Sequence, residues 1–187
     1  MPLCEIHLPD RAVPRYWPDH LLPLYRYVPG LHPHPLRHPA GHSYEPAAHG
    51  RRLPAWDPTN WRGLVDWLSG VDQFNAFYFW EAHETWEGLW AAIPRHCGPA
   101  RVLQGLIQVT AALLKIHLGS LSAATTLARR GVDTLVEAAA RSPRFMGLDL
   151  PQASHDFHRY FRPLAERTLP RLDASVPVLR LHGAGDA

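Results

Sequence analysis

The stretch "FYFWEAHETWEGLW", Phe77 to Trp90, sets Glu81, His83, Glu84 and Glu87 among three tryptophans, two phenylalanines and a tyrosine. Wound at about 100° per residue, it places Tyr78, Phe79, Ala82, Trp86, Leu89 and Trp90 on one broad apolar face. Glu81 and Glu84 fall on the opposite side, and His83 and Glu87, one turn apart, stack along a flank. An imidazole between carboxylates has its charged form favoured, while a desolvated glutamate resists ionisation, so such a set can be tuned for acid/base work near neutral pH. Glu81, His83, Glu84 and Glu87 are therefore the candidate catalytic residues, with hydrolysis as the reaction type. The order His83-Glu84-x-x-Glu87 also resembles the zinc-protease spacing His-Glu-x-x-His, with glutamate in place of the second histidine. His83 and Glu87 can chelate a divalent metal from one helix face, but the spacing offers no third ligand nearby, and whether a metal is held stays open.

The next apolar segment carries a polar row of its own. Arg101, Gln104, Gln108 and Lys115 recur at spacings of three, four and seven on a cylinder otherwise built from leucine, isoleucine and valine. If the two helices pair antiparallel, this row meets the carboxylates. Gln104 and Gln108 would then orient a small polar substrate, and Arg101 or Lys115 would balance developing negative charge. The alternative is a structural one. Buried carboxylates cost several kcal/mol unless paired, so the same cluster serves equally as an internal polar clamp in a binding or scaffolding module. Exposed pairs of this kind contribute only about 0 to 1 kcal/mol.

A second set of candidates lies in "PGLHPHPLRHPAGHSY", where His32, His34, His38 and His42 fall within eleven residues. They suit a transition metal, or a base delivered to a site completed by the helices, and His34 and His42 are the pair expected to reach it. Histidine–proline alternation is equally the pattern of a rigid, solvated linker.

These side chains must be positioned by two kinds of chain. Residues 1–58 hold 12 of the 19 prolines and 7 of the 13 histidines, a density that denies both helix continuation and ladder donors. This part is expected to be extended, with one brief helix near Asp19 to Tyr27, and to wrap the body through anchors such as Trp17, Tyr25, Tyr27 and Val28. Residues 59–170 show helical spacing. A first helix capped at Thr59 or Asn60 runs to Leu68 and stops at Ser69-Gly70. A second, capped by Asp72 or Asn75, runs to about Ala92. The third runs from Pro99 to Leu118, stopped by Gly119; the fourth from Ser120 or Ser122 to about Arg141; the fifth opens at Asp149-Pro151 and is broken by Pro163. Residues 171–187 form a coil tail. Alternating β-branched runs are absent, so the fold class is all-α: an antiparallel bundle of about five helices with a Pro/His-rich extended N-terminal segment.

The formal net charge of +2 over 187 residues argues against a nucleic-acid face, and no apolar run approaches the roughly 18 residues that span a bilayer. Cys4 and Cys97 make no disulfide framework, which fits a reducing cytoplasm. The expected partners are a small polar molecule or a protein, and seven tryptophans in so short a chain suit a homodimer.

"NAFYFWEAHETWEGLW" followed by "RVLQGLIQVTAALLKIHLGSLSAATTL" resembles the family catalogued as domain of unknown function 309, over roughly Asn75 to Leu135. The resemblance implies a small, intracellular, all-helical bundle of antiparallel hairpins, without an established activity. Its motif positions here are Glu81, His83, Glu84 and Glu87 on one helix and Gln104, Gly105 and Gln108 on the next. Gly119-Ser120 and Ser122-Ala123-Ala124 depart from the pattern expected after the second motif helix. A signature built from Glu, His and Gln adds weight to a functional reading of the polar patch.

Overall fold

The computed structural model describes residues 12–45 and 56–183. The expectations for Cys4, and for the extended segment at residues 1–11 and 46–55, lie outside the described residues.

The body is all-α. Asp57 accepts from the backbone N–H groups of Thr59 and Asn60 to open a 3-10 turn over Pro58–Gly63. Among the described residues the five α-helices are α1 (Val65–Asn75), α2 (Phe79–Ala91), α3 (Gly98–His117), α4 (Leu121–Arg141) and α5 (Leu150–Phe161). Three boundaries follow the local chemistry of the sequence. Pro99 occupies the first turn of α3, and Gly119, at φ +69°, lets Ser120 N–H return to Lys115 O and close that helix. Asp149 caps α5 by accepting from Gln152 N–H at 3.0 Å, with Pro151 in the first turn. Beyond α5 the chain tightens into a 3-10 turn over Arg162–Glu166, which contains Pro163.

The first two helices depart from expectation. Ser69-Gly70 is no terminator: α1 begins at Val65 and carries Gly70 in its interior, with Asp72 buried inside the helix rather than capping the next. The reason is packing, since a Cβ at Gly70 would collide with the indole of Trp86 on α2. The reversal between α1 and α2 falls instead at Ala76–Tyr78, where Phe77 takes a left-handed φ of 67° with its ring buried. Likewise α3 crosses α4 at Gly105 and Gly131, where an added Cβ at Gly105 would lie 2.8 Å from Leu135 and one at Gly131 2.9 Å from Val109. Neither Asp19 to Tyr27 nor any other part of residues 12–45 is helical; this stretch runs as bends and turns.

A two-residue antiparallel hairpin, β1 (Arg144–Phe145) with β2 (Leu148–Asp149), joins α4 to α5. No alternating apolar run announces it, because each strand is too short to show a period. The segment after Leu169 is irregular but packed: Leu172, Val176, Leu179 and Leu181 are buried. Asn75 holds it, donating to Leu179 O at 2.8 Å and accepting from Leu179 N–H at 2.9 Å, as a neighbouring strand would.

The centre is aromatic. Phe74 of α1 packs on Trp86 of α2 (6.0 Å between ring centres) and on Phe157 of α5 (5.8 Å), and Trp67 lies 6.0 Å from Trp86. α2 is sandwiched between α1 and α3, and α3 in turn packs on α4. Each such ring, fully removed from water, contributes roughly 1.5–3 kcal/mol.

Gly70→Ala tests the close approach of α1 to Trp86 by sign. At an ordinary helical position alanine gains up to about 1 kcal/mol over glycine. Against Trp86 it is expected to cost about 2 kcal/mol or more through overpacking, read as a lower midpoint in urea unfolding.

Candidate functional site

The left-handed turn at Phe77 points α2 back along α1 and sets Glu81 in its first turn, where the positive end of the helix favours a carboxylate. Glu81 is 4% exposed. Its Oε1 accepts from the backbone N–H of Tyr27 at 2.9 Å and meets His42 Nε2 at 3.1 Å, and the His42 side chain is itself 3% exposed. His42 Nδ1 lies 2.8 Å from Ser43 Oγ. The tautomer that fits carries the ring proton on Nε2, donating to Glu81, and leaves Nδ1 to accept from the Ser43 hydroxyl.

His42 reaches Glu81 because the proline-rich segment folds on itself around Tyr25. The Tyr25 hydroxyl donates to Pro33 O at 2.7 Å and accepts from His42 N–H at 3.3 Å. The rings of His32 and His42 flank it at 5.1 and 4.6 Å. His34 packs instead against Tyr27 and Trp80, 5.3 and 5.5 Å between ring centres. The segment is fastened at more than one point. Asp72 of α1 accepts from Tyr16 N–H, Trp17 N–H and Arg15 Nε at 2.8, 2.9 and 3.0 Å. Arg26 donates to Ala76 O and Tyr78 to Pro23 O.

Burial raises the Glu81 carboxyl to about 7, helped by the nearby Glu84 charge and opposed by the Tyr27 N–H and by Arg26. Burial lowers the His42 imidazole. The short Nε2–Oε1 distance alone would suggest an ion pair, but both partners favour their uncharged forms. We therefore describe the contact as a hydrogen bond between a neutral imidazole and a carboxyl that holds or releases a proton near neutrality. The other oxygen, Glu81 Oε2, is buried with no hydrogen-bond partner among the described residues, as are Gln108 Oε1 and His117 Nε2. His117 is lowered by burial and then by the neighbouring His32.

One turn further, the polar residues open to solvent. His83 Nδ1 lies 3.8 Å from Glu84 Oε1 and 3.9 Å from Glu87 Oε2, and the side chains are 26, 29 and 52% exposed. One donor atom from each falls within 4.8 Å of the others. The third donor that the spacing did not reveal is thus Glu84, brought beside His83 by side-chain orientation rather than by helical period.

The row on α3 does not neutralise Glu81. The hydrogen bonds of Glu81 go to the N-terminal segment, and Arg101 turns the other way, pairing with Glu137 of α4 at 2.8 Å. Gln104, Gln108 and Lys115 are half-buried on α3. At Glu81 the folded N-terminal segment takes the position expected for this row and supplies the hydrogen bonds. Asp72 and Asn75 carry as much of the fastening as any expected site residue; a charge and an amide inside the apolar run "VDQFN" are the signal for them, masked by the equally good reading of both as helix caps.

Comparison with curated proteins and with solved structures returns no match. The family model described as a domain of unknown function, DUF309, matches residues 67–127, which take in most of α1, all of α2 and α3 and the start of α4. Across the helices that hold Asp72, Glu81, His83, Glu84 and Glu87, the chain is thus similar to the DUF309 family.

Proposed function

We propose that α2 is the working face of a hydrolase for a small polar substrate, with His83, Glu84 and Glu87 holding a divalent cation. The observation that carries this reading is the convergence of one imidazole nitrogen and two carboxylate oxygens within 4.8 Å at a position open to solvent. One imidazole and two carboxylates suit a borderline divalent ion such as Zn²⁺ or Mn²⁺ and leave coordination positions for water and substrate. Such an ion supplies Lewis acidity and an acidified water. Glu81, charge-coupled to Glu84 and with a proton exchangeable near pH 7, is the neighbouring acid/base group. Gln104, Gln108 and Lys115 remain candidates for orienting the substrate from α3, whereas Arg101 is committed to Glu137.

A second reading rests on a different observation: two buried carboxylates, Asp72 and Glu81, accept backbone N–H groups from one irregular, proline-rich stretch. In this reading the α1–α2 face is a receptor for such a peptide, filled here by the chain's own residues 12–45, and the polar cluster is its clamp.

Calorimetric titration with Mn²⁺ and Zn²⁺ tests the first reading. One saturable site is expected, weakened by at least about 10-fold in both His83→Ala and Glu87→Gln. The metal-free thermal midpoints should stay near wild type, because these side chains are partly exposed. Absent saturation, or undiminished binding in both variants, would remove it.

The buried clamp is tested by pH. Glu81 has a folded value of about 7 against an ordinary 4.5, so its contribution is fully present below pH 4.5 and lost as pH rises through 7. This amounts to about 3 kcal/mol at 1.36 kcal/mol per unit. His42, lowered on folding, acts oppositely, its contribution being present above its ordinary 6.5 and lost as pH falls. Glu81→Gln keeps a neutral group at the position. From pH 4.5 to 8, wild type should lose about 3 kcal/mol of unfolding free energy relative to that variant. A difference independent of pH would mean that the carboxyl is solvated.

A further inference from the structure

Away from α2, a cavity of about 260 Å³ opens between the start of α3, the end of α4 and the hairpin that leads into α5. Its apolar wall includes Val102, Ala138, Phe145, Met146 and Leu150, all buried. Arg101, Glu137, Arg141 and Arg144 also line it. A cavity of about 150 Å³ lined by leucine, isoleucine and phenylalanine accepts benzene, so this one admits an aliphatic chain of about eight carbons.

The wall is held in place from behind. Met146 occupies a left-handed backbone conformation at φ 44°, which costs a non-glycine residue on the order of 1–3 kcal/mol and persists only where surroundings enforce it. Trp67 enforces it: its indole N–H donates to Met146 O at 3.1 Å, and its ring meets Phe145 edge-on at 5.2 Å. Leu148 in the same hairpin is tied to Leu181. A pre-formed apolar wall spares a ligand the cost of ordering it.

The charges beside this wall do not cancel. Arg101 is matched by Glu137 at 2.8 Å, and Arg144 lies 3.6 Å from Asp149. Arg141, exposed in the last turn of α4, has no ion pair among the described residues. One uncompensated guanidinium beside an apolar chamber matches one negative charge on an apolar body, and the planar fork of arginine suits a carboxylate.

We propose that this cavity binds an aliphatic monocarboxylate, the alkyl chain against Val102, Ala138 and Phe145 and the carboxylate on Arg141. The site is separate from the α2 cluster and does not depend on the reading given to that cluster.

Octanoate titrated into the full chain by calorimetry is the test, with octanol as the neutral control. One site is expected, with Kd on the order of 0.1–1 mM for about ten non-hydrogen atoms. Octanol should bind at least 10-fold more weakly. Arg141→Gln, a surface change that leaves the cavity shape and the thermal midpoint intact, should weaken octanoate by a similar factor, and Ala138→Phe, which fills the chamber, should abolish binding. The proposal is overturned if octanoate does not saturate a single site, if octanol binds as well as octanoate, or if Arg141→Gln binds octanoate as wild type does.

Discussion

Two carboxylates buried among aromatic rings, Asp72 and Glu81, set the terms for the rest of the molecule. Neither belongs in such surroundings without hydrogen-bond donors, since an unsatisfied polar group there costs several kcal/mol on an alkane-like reference. A proline-rich segment has the reverse need. It joins neither helix nor sheet, so the N–H groups that do not close local turns need acceptors from outside the segment. The two needs meet: Tyr16, Trp17 and Tyr27 give their N–H groups to Asp72 and Glu81, and the segment is thereby fastened along α1 and α2. Asn75 does the same for the chain's other end through Leu179. The helical body is apolar enough to fold around its rings, and three of its interior polar residues, Asp72, Asn75 and Glu81, fix the irregular chain around it.

That division runs through α2 itself. Glu81, in the first turn, faces the N-terminal segment; His83, Glu84 and Glu87 face solvent and converge on one another. One helix thus carries a structural contact and a candidate chemical one; burial is what chiefly raises the Glu81 carboxyl, and the charge of Glu84 adds a smaller coupling between the two. The coupling has a consequence for function. A cation at the outer cluster would offset the Glu84 charge and so ease the ionisation of Glu81, linking whatever binds outside to the protonation of the buried latch.

Much of this was legible in the residues, and the parts that were not fail for identifiable reasons. Pro99, Gly119 and Asp149-Pro151 act locally, on backbone conformation and orphan N–H groups, so α3 and α5 open, and α3 closes, where those residues stand. Gly70 and Asp72 misled because their roles are tertiary: the glycine makes room for Trp86, and the aspartate answers residues more than fifty positions away. The same distance hid the partner of Glu81. Periodicity along α3 displays Arg101, Gln104, Gln108 and Lys115 as a row, yet whether that row meets α2 depends on what else packs there. The proline-rich segment, read for its histidines, supplied a backbone N–H at Tyr27 and one imidazole at His42. Glu84 as a third donor depends on rotamers, which no spacing encodes.

His42 and Glu81 hold each other with side chains closed to water. A double-mutant cycle on unfolding free energy at pH 6, using His42→Ala, Glu81→Ala and the pair, measures that contact without reference to activity. A coupling of about 1 kcal/mol or more is expected, since each single change strands the other buried partner. Additive effects within about 0.3 kcal/mol would show that the two side chains do not meet in the folded protein.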